Sequence, residues 1–125
     1  LVHGVRERTG AHLRSIALYG PDSYDVLFLR DDVEASYLST EIDEIHDEMV
    51  LEDLGIGYLE ELFNAGDLVC STHVFEEGVM MHLAGEGHHG LFLSFDPGPN
   101  VDILDIGEFA KDWIRDVDIS DILDA

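Results

Sequence analysis

Three short apolar runs between residues 68 and 95 constrain the fold of this chain more than any other feature of its sequence. The runs cover residues 68–75, 79–83 and 90–95, and they are rich in β-branched, aromatic and other apolar side chains. The segments between them, Glu76-Glu77-Gly78 and Gly85-Glu86-Gly87-His88, are short enough to be hairpin loops. The sequence therefore predicts three consecutive antiparallel strands.

A second hairpin is predicted nearer the N-terminus. Residues 13–19 and 24–30 are apolar and aromatic-rich, and they flank a Gly-Pro-Asp-Ser turn. Residues 1–9 read as a short helix that Gly10 ends. An alternative in which this helix continues through residues 11–19 stays open, although we prefer the strand interpretation.

Helical periodicity marks two further segments. Thr40-Glu41-Ile42-Asp43 has the form of a capping box, and the apolar residues after it recur at helical spacing. Gly55 is predicted to end this helix, and a second short helix is predicted over residues 58–64. Near the C-terminus, a clear apolar stripe predicts an amphipathic helix. The stripe consists of Ile106, Phe109, Ala110, Trp113, Ile114 and Val117.

These elements follow one another in the order α-β-β-α-β-β-β-α, which predicts an α+β fold: a five-stranded antiparallel sheet with helices packed on its faces. Residues 1–117 are expected to form a single domain, followed by an acidic C-terminal tail over residues 118–125. The tail carries Ile119, Ile122 and Leu123, which are candidates for contact with a partner. The element order resembles that of roadblock and profilin-like domains, and this resemblance implies a scaffold or sensor role.

The charge balance restricts both the environment and the partners of the chain. It carries 28 acidic and 6 basic residues, a net charge of -22, and Lys111 is its single lysine. Carboxylates at this density repel one another in dilute buffer, whereas molar salt screens the repulsion and the hydrated surface stays soluble. The composition therefore indicates the cytoplasm of an extreme halophile, and it disfavours nucleic acids and anionic membranes as partners.

The chain also lacks the sequence features of an exported or membrane-spanning protein. It has no apolar run long enough to cross a bilayer, and residues 1–6 lack the apolar core of a signal peptide. Its single cysteine, Cys70, cannot form an internal disulfide. We therefore expect a cytoplasmic protein, in which Cys70 is a small apolar residue rather than a nucleophile.

Several segments resemble a family of small, uncharacterised haloarchaeal proteins. The resemblance extends over most of the chain and implies a halophilic host, and it implies no activity and no catalytic residue. The segments that carry it are Leu13-Arg14-Ser15, Tyr24-Asp25-Val26-Leu27, Leu29-Arg30-Asp31-Asp32-Val33 and Ser94-Phe95-Asp96-Pro97-Gly98.

Residues 80–90, MMHLAGEGHHG, combine three histidines with a Gly85-x-Gly87-x-x-Gly90 pattern that matches a dinucleotide-binding fingerprint. That fingerprint requires a helix after its glycines, because the amides of the helix N-terminus hold the pyrophosphate. Residues 91–95 have the composition of a strand instead. We therefore interpret these glycines as hairpin-loop residues.

Four histidines lie close enough in sequence to suggest a metal site: His73, His82, His88 and His89. In the preferred register, with a three-residue loop over residues 76–78, His73 and His82 point to opposite faces of the sheet. With a two-residue loop, they lie directly opposite each other. No Cys-x-x-Cys or His-Glu-x-x-His pair accompanies them, so the sequence predicts no metal, no cofactor and no catalytic residue. His46 is predicted to be a solvated or edge position on a helix.

These observations favour a non-enzymatic interaction or regulatory module that acts by protein–protein contact. A five-stranded sheet has two edges that need cover or pairing, which favours homodimerisation through an edge or a helix face. Two alternatives stay open. One is a sensor domain that holds a small molecule between the sheet and the helices, and the other is a metal-binding protein that uses the histidines of residues 73–89.

Overall fold

The computed structural model of the chain describes residues 1–123. In chain order its elements are α1 (Val2–Thr9), a 3-10 turn (Gly10–His12), β1 (Leu13–Tyr19), β2 (Tyr24–Leu29), α2 (Asp31–Ser36), α3 (Ser39–Phe63), β3 (Ser71–Val74), β4 (Val79–Ala84), β5 (Gly90–Phe95), α4 (Ile103–Asp116) and α5 (Ile119–Leu123). The five strands form one antiparallel sheet in the order β2-β1-β5-β4-β3. The predicted fold class, including both hairpins and the C-terminal amphipathic helix, is confirmed.

One face of the sheet carries the hydrophobic core, which α1, α4 and α5 cover. Alternate residues of the central strands, such as Leu91 and Leu93, point to this face and are fully buried. Helix α4 packs on them through its predicted apolar stripe. Cys70 lies at the edge of this core, partly buried, with its sulfur beside Gly107 of α4.

Helix α3 crosses the opposite face as one continuous helix, so the predicted break at Gly55 is wrong. Gly55 and Gly57 both lie inside it, although each glycine costs about 1 kcal/mol relative to alanine in a helix interior. Asp53 and Ile56, on the two sides of Gly55, are buried against the sheet. Tertiary contact therefore overrides the local preference of the glycine to end the helix.

The ends of α3 also differ from the prediction. Leu38, not Thr40, is the N-cap, and its backbone N–H donates to Glu41 Oε1 at 2.9 Å. The helix ends at Asn64, whose left-handed conformation (φ 47°) terminates it.

Within residues 1–123, no helix combines the length and the hydropathy needed to cross a bilayer.

The β3–β4 hairpin has a register that neither sequence alternative predicted. His73 pairs with Met80 rather than with Met81 or His82, because the loop spans residues 75–78. Met80 and His82 share one face of β4, so His73 and His82 point to the same side of the sheet. The predicted opposite orientation is wrong, since a slip of one residue in register moves a side chain to the other face.

The segment after α4 folds back onto the core. Ile119 is buried in the core cluster and Leu123 packs against it, whereas Ile122 is partly exposed. Of the three apolar residues expected to contact a partner, Ile119 is therefore not accessible. Residues 124 and 125 of the expected acidic tail lie outside the described residues.

Candidate functional site

A buried polar network joins α3 to the sheet. The Tyr19 hydroxyl donates to Asp53 Oδ2 at 2.6 Å and lies 2.5 Å from His82 Nε2. His88, in the β4–β5 loop, donates from Nδ1 to Asp53 Oδ1 at 3.0 Å. Tyr19 and His82 are each 3% exposed and Asp53 is 8% exposed. The Asp53 carboxylate is therefore held by two hydrogen bonds in a site that is nearly closed to water.

The proton positions in this network follow from its partners. An ionised Asp53 can only accept, so the single Tyr19 proton goes to Asp53 and His82 donates from Nε2 to the Tyr19 oxygen. His82 Nδ1 lies 3.1 Å from Glu52 Oε1 but off the line of a hydrogen bond, and neither atom has a hydrogen-bond partner within residues 1–123. This contact is attractive only when a proton sits on one of the two atoms.

Tyr19 is a hydrogen-bond donor in this network and not a base. Burial raises the pKa of the Tyr19 phenol far above its usual range, and the hydrogen bond to the Asp53 carboxylate raises it further. A phenol in this state keeps its proton throughout the physiological pH range. The hydrogen bonds of this network therefore fix α3 on the sheet, with Tyr19 as a permanent donor to Asp53.

The glycines of residues 85–90 shape the β4–β5 loop and leave room for the Tyr19 ring of this network. Gly87 and His88 have φ values of 65° and 60°, and the Gly85 amide donates to the His89 carbonyl at 2.7 Å to close the β4–β5 loop. The predicted hairpin loop is therefore present. A Cβ on Gly90 would lie 2.3 Å from the Tyr19 oxygen, so only glycine lets the Tyr19 ring lie across β5.

The four histidines considered as metal ligands lie in separate environments. His82 is buried beside Tyr19, and His88 is hydrogen-bonded to Asp53. His73 is exposed on β3, and His89 packs beside the β1–β2 turn. In the part of the chain that the structure describes, no three His, Cys, Asp or Glu side chains are grouped as a metal ion would require.

An apolar cleft of about 490 Å³ lies between the sheet and the N-terminal half of α3. It forms because α3 is buried against the sheet around Asp53 and Ile56, whereas its first turns are only partly covered. Apolar side chains supply most of its surface. They include Ala17, Met80 and Phe92 from the sheet and Ile42, Ile45 and Met49 from α3.

A cluster of Arg14, Arg30 and Asp96 lies at one side of the cleft, where Arg14 contributes to its lining. Arg30 donates to the two Asp96 carboxylate oxygens at 2.7 and 3.1 Å. Arg14 Nη1 is farther away, at 3.4 Å from Asp96 Oδ1. These guanidinium groups, Arg30 first, hold the pKa of the Asp96 carboxyl below its usual range.

Asp96→Asn is expected to destabilise the protein near neutral pH and to lose this effect in acid. The pKa of Asp96 is lower in the folded chain than in the unfolded chain, so its ionised form stabilises the fold above the unfolded value of about 3.9. That contribution is lost as the pH falls through the folded pKa. Because Asp96 is partly exposed, we expect a difference of about 1 kcal/mol near neutral pH.

The measurement is the free energy of unfolding of both proteins from neutral pH to about pH 2 in molar KCl. Asp22→Asn is the matched control, since Asp22 is exposed in the β1–β2 turn. A wild-type advantage over Asp96→Asn that stayed constant into strong acid would contradict the assigned role of Asp96.

The family of the chain follows from a match over most of its length. A family model described as Domain of unknown function (DUF7522) matches residues 1–114. The chain belongs to this family. The matched residues include all five strands and the long helix α3, so the cleft and the polar network both lie within the DUF7522 domain. Among curated proteins, none matches the chain.

The fold of this DUF7522 protein is similar to that of a Roadblock/LC7 domain from Streptomyces avermitilis. The superposition has a TM-score of 0.61 and covers 92% of this chain and 89% of that chain, at 17% sequence identity. At this identity the comparison shows the fold alone. It agrees with the roadblock-like order of elements that the sequence predicted.

Sequence reasoning missed the residues that anchor α3. In the sequence, Asp53 looks like one of many surface acids. It falls, however, on the same helical stripe as Ile45, Met49 and Ile56. An acid on an apolar stripe was the signal that could have indicated its burial. His46 was predicted to be a solvated or edge position on a helix, and the solvated alternative is wrong. Its side chain is largely buried, and Nε2 donates to the Gly20 carbonyl at 2.7 Å.

Proposed function

We propose that this DUF7522 protein is a non-enzymatic interaction module that acts by protein–protein contact, and that its first partner is a second copy of itself. The observation that carries this proposal is an apolar stripe on the outer face of α3. Its members recur at helical spacing opposite the buried Asp53 and Ile56, so they do not reach the core. They are Leu51 (62% exposed), Leu54 (62%), Tyr58 (66%) and Leu62 (57%).

The surroundings of the stripe support close contact with another helix. A contiguous exposed apolar patch on a chain with this many charges is the expected mark of a contact surface. Gly55 lies within the stripe, and a Cβ there would meet no atom within 4 Å in the described chain. Folding of the chain itself does not need this glycine, whereas a second helix could approach closely at that point.

The edge strand β3 offers a second contact surface. It pairs with β4 on one side only within residues 1–123, and the exposed side chains of Val74 and Phe75 lie at its end. An unpaired edge of this kind can pair antiparallel with the same strand of a second copy. Association through the α3 stripe and β3 would build a symmetric dimer whose sheet continues across both chains.

We propose the cytoplasm of a halophilic archaeon as the setting for this module. The excess of 28 acidic over 6 basic residues supports that setting. Molar salt would screen repulsion between two chains of net charge -22, and the apolar stripe would then drive their association. The dispersed histidines give the alternative of a metal-binding protein no support.

Replacing Leu54 and Tyr58 together by Asp is expected to convert a dimer into a monomer. The two changes place charge at the centre of the stripe, where truncation of one anchor residue typically weakens association by about 2 kcal/mol, or roughly 30-fold. Sedimentation equilibrium in molar KCl measures the association constant of the wild type and of the variant.

Leu104→Asp is the matched control for this experiment. Leu104 is an exposed leucine on α4, outside the stripe, and its replacement should leave the dimer intact. A wild-type protein that stayed monomeric at all concentrations would contradict self-association. A double variant that dimerised as strongly as the wild type would exclude the α3 stripe as the interface.

A further inference from the structure

We propose that the cleft between the sheet and α3 binds an amphipathic carboxylate, with the apolar body of the ligand against Met80 and Phe92 and its carboxylate on Arg14. This site lies on the inner side of α3. The proposed self-association uses the outer face of the same helix, so the two proposals stand on different observations.

The size and lining of the cleft define the apolar part of the ligand. Its volume of about 490 Å³ falls in the range of about 300–1,000 Å³ that is usual for small-molecule pockets. Ile42, Ile45 and Met49 face the sheet across this space but are only partly buried. Apolar groups separated by a gap lose dispersion contacts, and an apolar chain or ring between them would restore those contacts.

Arg14 defines the polar part of the ligand. Its Nε atom is buried and has no hydrogen-bond partner among residues 1–123. Its Nη1 atom reaches the Glu77 carbonyl and Asp96 only at 3.4 Å each. Asp96 is already held by Arg30 at 2.7 and 3.1 Å, so Arg14 keeps unused donors. A guanidinium presents these donors as a fork that matches the two oxygens of a carboxylate.

The serine hydroxyls and two acids of the cleft do not favour a different ligand. The Ser15 and Ser94 hydroxyls are hydrogen-bonded to each other, so they do not require a ligand partner. Glu44 and Glu48 lie on the rim and are exposed. Molar salt screens these solvated carboxylates from a bound ligand, and they provide no buried partner for a cationic group.

The experiment titrates the full chain with decanoate, decanol and protonated decylamine in molar KCl, and follows amide NMR shifts in β4 and β5. The three probes share one apolar chain and differ in the head group. We expect one decanoate per chain, bound at least roughly 10-fold more tightly than either of the others. Tighter binding of decylamine, or no binding of any probe, would overturn the proposal.

Variants of the cleft separate the roles of the two ends of the ligand. Arg14→Met keeps the apolar stem and should weaken decanoate roughly 10-fold or more, to the level of decanol. Ala17→Phe fills the cleft and should abolish binding of all three probes. Arg115→Met, which removes an exposed guanidinium on α4, is the control and should change nothing.

A second variant keeps the test decisive where Arg14→Met fails to fold. Arg14→Lys retains the positive charge but not the fork, and decanoate should bind it more weakly than the wild type and more tightly than decanol does. Unchanged decanoate affinity in either variant, once that variant is shown to be folded, would exclude the Arg14 guanidinium as the carboxylate partner and overturn the assignment.

Discussion

Asp53→Ala is expected to lower the free energy of unfolding by about 3 kcal/mol. The Asp53 carboxylate is buried and accepts hydrogen bonds from Tyr19 and His88. Its removal leaves the Tyr19 hydroxyl and the His82 ring buried without the group that orders their hydrogen bonds. Denaturant unfolding in molar KCl measures this loss.

Three companion variants show whether the loss comes from the network. Asp53→Asn keeps the shape and one acceptor oxygen, so it should cost less than Asp53→Ala. Tyr19→Phe removes the shared hydroxyl, and a double-mutant cycle with Asp53→Ala should give a coupling energy of about 1–3 kcal/mol. Glu61→Ala is the control, because Glu61 is exposed on the same helix. Equal losses for Asp53→Ala and Glu61→Ala would contradict the anchoring role of Asp53.

The core face of the sheet could be predicted from the sequence because its signals are local. Two patterns each indicate one buried surface. One is the alternation of apolar residues through Leu91 and Leu93, and the other is the helical stripe of Ile106, Ala110 and Ile114. Each pattern is typical of one type of secondary structure and can be recognised within its own segment of the sequence. The strand order and the packing of α4 follow from these patterns together with the short hairpin loops.

The α3 face could not be predicted in the same way, since its structure depends on contacts that are distant in sequence. Gly55 has the local character of a helix end, and only burial of Asp53 and Ile56 on the sheet keeps the helix continuous. The orientation of His73 depends on one residue more or less in the hairpin loop. The burial of Asp53 could not be predicted because, among 28 acidic residues, a single buried carboxylate is not distinguished from the exposed ones.

The stability of the protein is expected to fall steeply when the salt concentration is lowered. At a net charge of -22, the folded chain holds its carboxylates closer together than the unfolded chain does, so their repulsion opposes folding. The Debye length grows from about 3 Å at 1 M salt to about 10 Å at 0.1 M, and repulsion between neighbouring carboxylates is then only weakly screened. We expect the melting temperature, followed by circular dichroism, to drop by at least about 10 °C over that range, equivalent to roughly 2 kcal/mol.

Charge variants distinguish screening from a general effect of salt on apolar burial, which would act whatever the surface charge. Asp22, Glu76 and Glu108 are exposed acids that belong neither to the cleft lining nor to the α3 stripe. Replacing all three by Lys removes three negative charges and adds three positive ones, which changes the net charge from -22 to -16. If repulsion between carboxylates limits stability, this triple variant should melt higher than the wild type at about 0.1 M KCl and converge with it in molar KCl. The matched triple Gln variant should fall between them, because it removes half as much charge. A salt dependence that was identical in all three proteins would instead assign the effect to apolar burial, and a wild type equally stable at both salt concentrations would remove the support for a halophilic setting.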